Sequence, residues 1–180
     1  MTFDSKEPWI LVGYDLFAKE GPAALKVEVM ARLVNKSKSS FYHHFADVDV
    51  FTELLLNYHL KRSHIIAQRE SRCERITPDL IHVLLDVKQD LLFNRQLRVN
   101  RHNPAFKTCL ERSTQAVESA FLAVWAKDLG LADKAHLAHS LFKLTLENFY
   151  LQLTEATLTY EWLAHYFSEV RSMVTEFKKP

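Results

Sequence analysis

Apolar side chains return at three- and four-residue intervals along almost the whole chain, the spacing that lays them on one face of an α-helix. In the first such segment Ile10, Tyr14, Leu16 and Phe17 form the stripe, Ser5 is a candidate cap, Pro8 suits the first turn and Gly21 closes the helix. Val27, Met30, Ala31 and Val34 make a second, shorter stripe over residues 26–34. Asn35 tolerates the left-handed conformation of a tight turn, and Ser37 can accept an amide hydrogen bond at the head of a third helix containing Phe41 and Phe45. Asp47 caps a fourth, long helix whose apolar positions Val50, Phe51, Leu54, Leu55 and Tyr58 continue past residue 65.

Proline then punctuates the chain. Thr77-Pro78 predicts a helix over about 77–93, and Asn103-Pro104 one over about 104–130, with a basic connection, R-Q-L-R-V-N-R-H, between them that leaves room for one short helix. Two more periodic segments, about 133–158 and 159–177, close the sequence. Their large apolar residues cover more than one narrow stripe, so each helix is expected to face a core on one side and a partner subunit on another. With only 3 glycines and 5 prolines in 180 residues, the punctuation of a many-stranded sheet is missing, and the expected class is all-α.

Two short helices joined by a tight turn, the second opening in short polar and basic side chains, form the layout of a helix-turn-helix. A helix that enters the DNA major groove must show small polar groups at its leading end while its other side packs. At about 100° per residue, Lys36, Ser39 and His43 fall opposite Phe41, with His44 toward the flank. Tyr42 and His43 are then placed to donate to phosphate oxygens, and Lys38, Ser39 and Ser40 to read base edges. The competing reading is an ordinary surface helix with packed aromatics.

The ordered segments I-L-V-G-Y-D-L-F-A-K-E-G, V-E-V-M-A-R-L-V-N-K-S-K-S-S-F-Y-H-H-F and D-V-D-V-F, within about residues 9–55, resemble the DNA-binding domain of TetR-family transcriptional regulators. The remainder matches that family by helix layout only. The resemblance implies a helix-turn-helix domain over residues 1–46, a helical effector-binding and dimerisation domain over 47–180, and an interface between subunits made by the last two helices. It implies a homodimer on a palindromic double-stranded DNA operator, contacted through Lys26, Lys36, Ser37, Lys38, Ser39, Ser40, Tyr42 and His43. It also implies a small-molecule effector that shifts the fourth helix and releases the DNA. The chain departs from the family pattern at Lys26, where a Thr or Ser commonly caps the second helix, and at Val48, where a lysine is usual.

Charge complicates this picture. Residues 1–60 carry six Lys/Arg and eight Asp/Glu, and the whole chain is only +1. Because phosphate neutralisation supplies much of DNA affinity, three alternatives stand open: weak and salt-sensitive binding, help from protonated histidines, or a dimer with reduced operator binding that acts through protein or small-molecule contacts.

Other chemistry finds little support. Adjacent helical residues such as His43 and His44 diverge too far to share an ion, and neither His136/His139 nor Glu161/His165 has the partner glutamates of a metal-binding bundle. No nucleophile elbow, phosphate-cradling glycine loop or paired cysteines occur, so neither a metal, a cofactor nor an enzyme activity is expected. Cys73 and Cys109 fit a reducing cytoplasm, and the absence of a long apolar run fits a protein outside the membrane. Aromatic and polar residues mixed along the middle helices, Phe93, His102, Phe121, Trp125, Phe142, Glu147 and Tyr150, are the candidates for lining an effector pocket.

Overall fold

Nine α-helices and no strand form among residues 5–176, which the computed structural model describes. They are α1 (Glu7–Glu20), α2 (Val27–Val34), α3 (Lys38–His44), α4 (Val48–Glu70), α5 (Ile81–Asp86), α6 (Lys88–Val99), α7 (Pro104–Asp128), α8 (Ala135–Gln152) and α9 (Tyr160–Glu176). The chain divides into two compact units, residues 1–62 with 89–113, and residues 63–88 with 114–180.

Most helix ends follow the local chemistry of the sequence. Gly21 ends α1 at φ 85°, its N–H reaching Phe17 O, and Asp47 Oδ1 accepts from Val50 N at 2.8 Å to start α4. Asn103 Oδ1 accepts from Ala105 N at 2.9 Å at the head of α7, and Gly130 follows that helix at φ 63°. Ser5 does not cap α1. Lys6 holds the N-cap position with near-helical backbone angles and makes no side-chain cap bond, while Pro8 lies in the first turn, where its missing N–H leaves no donor to satisfy.

Three boundaries differ from the periodicity. The segment expected as one helix over 77–93 is a π-turn (Ile76–Leu80) followed by α5 and α6, which are separated at Val87. Thr77 is extended, as a residue before proline prefers, and it caps nothing; the Asp79 carboxylate instead accepts from Glu74 N and Arg75 N, each at 3.1 Å. Helix α6 then runs to Val99, taking in part of the basic connection, because Gln96 and Leu97 continue its buried face. Helix α8 stops at Gln152, well before residue 158. Beyond it Thr154 and Thr157 bond each other's backbone, Thr157 Oγ1 accepting from Thr154 N at 2.8 Å and Thr154 Oγ1 from Thr157 N at 3.1 Å. Phe177, the expected end of the last helix, lies outside the described residues.

The first unit is held by two aromatic layers. Phe41 of α3 meets Trp9 at 5.4 Å, Phe45 at 5.0 Å and Phe51 at 5.4 Å between ring centroids. Each of these fully buried rings contributes about 2–3 kcal/mol by leaving water. Gly13 lets α1 approach α4, since a Cβ there would stand 2.5 Å from the Phe51 ring. In the second layer Phe93 of α6 stacks on Tyr14 at 4.4 Å, on Phe17 at 4.2 Å and on His59 at 4.5 Å. The compact unit that contains the helix-turn-helix therefore reaches beyond residue 46.

A polar quartet, buried but for the half-buried Arg62, ties the same helices. Arg62 grips Asp90 with two bonds, Nε to Oδ1 at 2.9 Å and Nη2 to Oδ2 at 2.6 Å, and the Tyr14 hydroxyl donates to Asp90 Oδ1 at 2.8 Å. With its one hydrogen given to Asp90, Tyr14 Oη accepts from Nδ1–H of His59, 2.7 Å away. Burial pushes the His59 pKa down to about 4, so this imidazole is neutral at physiological pH.

The second unit packs around Trp125, fully buried, with Phe142 at 5.7 Å and Phe121 at 5.2 Å from Phe142. Phe149 and Tyr166 join α8 to α9 at 5.5 Å, and the Tyr166 hydroxyl donates to Thr145 O at 2.8 Å. Glu70 is buried here at 2% exposure. Its Oε2 has no hydrogen-bond partner, and burial raises its pKa to about 8.

Candidate nucleic-acid interface

Helices α2 and α3 present the polar face that the sequence predicts, and the reasons are local. Val27, Met30 and Ala31 bury one side of α2, and Asn35 adopts the left-handed conformation (φ 56°, ψ 47°) that reverses the chain in two residues. Lys36 N bonds Ala31 O at 2.9 Å across the turn. Ser37 then caps α3, its Oγ accepting from Ser40 N at 3.2 Å. With Phe41 and Phe45 locked in the aromatic layer, the rest of α3 has little choice of orientation. Its outward face is set by the core.

Lys36, Ser37, Lys38, Ser39, Tyr42 and His43 are exposed, and Ser40 and His44 are half-buried. Tyr42 is 56% exposed, high for a tyrosine with an aromatic neighbour, Phe41, on the same helix. Lys26, the extended residue before α2, is also exposed, and Val48 is half-buried at the head of α4. All eight residues expected at DNA thus lie on α3, its lead-in turn or the start of α2. The two histidines differ in exposure although their rings are 5.3 Å apart.

One side chain beside this face escaped the sequence reading. Glu28, on the first turn of α2, accepts from Lys38 Nζ at 2.9 Å. That hydrogen bond lowers the Glu28 pKa and raises that of Lys38, so both are charged at neutral pH. Ser37 and Ser39 share a second exposed hydrogen bond, Oγ to Oγ at 2.8 Å. The pairing of Glu28 with Lys38 crosses a turn over ten positions, beyond the reach of the i,i+4 rule that makes helical ion pairs legible.

The seven residues expected at an effector pocket do not fall in one place. Phe93 and His102 belong to the first unit, Phe93 in the aromatic stack and His102 exposed beside a shallow depression with Pro22, Val48 and Phe106. Phe121, Trp125 and Phe142 come together in the core of the second unit, where Trp125 Nε1 is buried without a hydrogen-bond partner. Glu147 is exposed and Tyr150 half-buried on α8. A groove of about 530 Å³ runs elsewhere on α8 and α9, lined by Leu141, Leu144, Asn148, Tyr166 and Met173 among others. Leu144 and Leu151 are 70% and 80% exposed on α8. Among the described residues no three His, Cys, Asp or Glu side chains converge as metal ligands, and no helix is long and apolar enough to cross a membrane.

Known structures share this architecture. A transcriptional regulator from Rhodococcus sp. Rha1 superposes over 96% of this chain and 97% of its own, with a TM-score of 0.64 and 16% sequence identity. A structure from Rhodococcus sp. assigned to the TetR family of transcriptional regulators covers 96% and 95% at TM-score 0.51 and 19% identity. A third, from Mesorhizobium loti MAFF303099 and assigned to the same family, covers 96% and 95% at TM-score 0.55 and 15% identity. The chain has the fold of TetR-type regulators. No protein-family model and no curated protein matches its sequence. Within the TetR-type fold, α2 and α3 of this chain are the helix-turn-helix, anchored by the Trp9, Phe41, Phe45 and Phe51 cluster.

Proposed function

We propose that the protein is a TetR-family transcriptional regulator that binds a palindromic DNA operator as a homodimer and releases it when a small molecule binds. The observation that carries this reading is the outward face of α3. Lys38, Ser39, Tyr42 and His43 are all exposed on a seven-residue helix whose other side is fixed by buried aromatics, and Lys36 is exposed in the turn that leads into it. A short helix of that kind fits a major groove, and its lysines and tyrosine supply phosphate and base-edge contacts. The dimer reading is supported by Leu144 and Leu151, large apolar side chains left to water on α8. The effector reading is supported by the buried, unpartnered Trp125 Nε1, a donor available to an acceptor group inside the second unit.

The test is DNA binding by the purified chain, measured at two salt concentrations on the DNA upstream of its own gene and on shuffled DNA of equal length. Preferential binding with a salt slope of several phosphate contacts, about 0.9 per contact, is expected. Equal binding to both DNAs overturns the reading.

A second reading keeps the dimer and gives up the operator. Its support is the acidic balance of residues 1–60 and the engagement of Lys38 by Glu28. Under it, Lys38→Ala with Tyr42→Ala leaves DNA affinity and salt slope unchanged; under the first reading the pair of substitutions lowers both.

A further inference from the structure

Glu28 and Lys38 are both clear of the core, with side chains 67% and 57% exposed, one on the first turn of α2 and the other at the head of α3. An exposed ion pair of this kind adds little to stability, so a purely structural role leaves the contact largely unexplained. Its geometry is more specific. One donor, Lys38 Nζ, and one acceptor, Glu28 Oε1, are held side by side at 2.9 Å beside the exposed face of α3.

The major-groove edge of a G·C pair carries the complementary arrangement. Guanine O6 accepts and cytosine N4 donates, and their own Watson–Crick bond holds the two atoms about 2.9 Å apart. An ammonium and a carboxylate at the same separation satisfy both atoms together, the lysine donating to O6 and the glutamate accepting from N4–H. An A·T pair in the same frame puts the adenine N6 donor against the lysine and the thymine O4 acceptor against the carboxylate, two mismatches. Reversing G·C to C·G produces the same double conflict, whereas T·A, with thymine O4 at the lysine and adenine N6 at the carboxylate, is satisfied as G·C is. A carboxylate near DNA also repels phosphate, which lowers affinity for every sequence and so favours discrimination over tight binding.

We propose that Glu28 is a specificity-determining residue which, paired with Lys38, selects at one position of each operator half-site a base pair with its keto oxygen on the lysine side, G·C or T·A, against A·T and C·G. The inference rests on the DNA-binding reading above. It gives the acidic residue on the candidate interface a task, where net charge alone counts it only as a hindrance.

Binding sites selected from random-sequence DNA, once with the wild-type chain and once with Glu28→Ala, test it. Competition binding would then place each of the four base pairs at every position of the enriched site. The wild type is expected to accept G·C and T·A at one position of each half-site and to reject A·T and C·G there with about ten-fold discrimination. Glu28→Ala is expected to accept all four pairs there, keep its other preferences, and bind random DNA more tightly. If Glu28→Ala selects the same base at every position, with affinity changed uniformly, the proposal is overturned and the DNA-binding reading stands. If the wild type enriches no sequence at all, both fall.

Discussion

The two units solve the same problem, a buried ionisable group, in opposite ways. In the first, Asp90 is 2% exposed yet held by two bonds from Arg62 and one from Tyr14, with a neutral His59 completing the set. In the second, Glu70 is as deeply buried, but Oε2 has no partner and the carboxyl keeps its proton to about pH 8. A charge is tolerable in a protein interior when it is paired and bonded, and otherwise the group neutralises itself. The difference teaches that the first unit has a specified interior geometry, whereas the second contains a site whose charge state follows its surroundings.

That contrast breaks most visibly at Arg62. Arg62→Met leaves Asp90 buried and uncompensated, and should destabilise the first unit by about 3–5 kcal/mol, read by urea unfolding and by faster hydrogen exchange in α1 and α6. Arg62→Met with Asp90→Leu should recover much of the loss. A single variant as stable as the wild type would show that the ion pair is not what holds these helices.

The titrations should then run in opposite directions. Glu70 has a folded pKa of about 8, above the ordinary 4.5, so the folded state binds the extra proton and stability is lost as pH rises from 4.5 through 8. Glu70→Gln should remove a penalty that grows to about 3 kcal/mol at pH 7, while changing little near pH 4. His59 has its folded pKa lowered from 6.5 to about 4, so the unfolded state binds the extra proton and stability falls as pH drops from 6.5 through 4. His59→Gln should flatten that acid limb, worth about 3 kcal/mol at its full extent. Parallel pH–stability profiles for wild type and variant would rule out either assignment.

The smallest effect sharpens the comparison at the surface. Ser37→Ala removes the cap of α3 and should cost about 1 kcal/mol in urea unfolding, with no change in either pH limb. A change in the acid or alkaline slope would mean that the head of α3 is coupled to the buried groups.

The helix-turn-helix was legible because its signals are local. Asn35 for the left-handed turn, Ser37 for the cap and Phe41 and Phe45 for the anchor all act within a few residues, and the exposure of Lys38, Tyr42 and His43 follows from helical spacing alone. The contacts that escaped are those made across the chain. Tyr14 and Asp90 meet over 76 positions, and no periodicity announces that a tyrosine on a first helix will hold a carboxylate on a sixth. The break at Val87 was hidden because apolar spacing runs on through it, from Ile81 and Leu84 to Leu91 and Leu92. The overrun of α8 has a similar cause, since Leu153 and Leu158 are buried but lie in the threonine-bonded turn. For the effector candidates, aromatic composition identified side chains that pack well without indicating which of them pack together.

Phe93 stacked on Tyr14 and Phe17 has a consequence for how the molecule can be divided. The helix-turn-helix leans on α6, so residues 1–46 made alone would expose the Tyr14 and Phe17 faces to water and lose the partners of both aromatic layers beyond Phe45. No single cut releases the first unit, because it is assembled from two separate stretches of chain. From its side, residues 63–88 are a loop, and closing a loop costs only a slowly rising entropy with length. A graft that joins residue 62 to residue 89 through a short flexible linker is therefore the natural way to obtain the unit that carries the helix-turn-helix as a free-standing module.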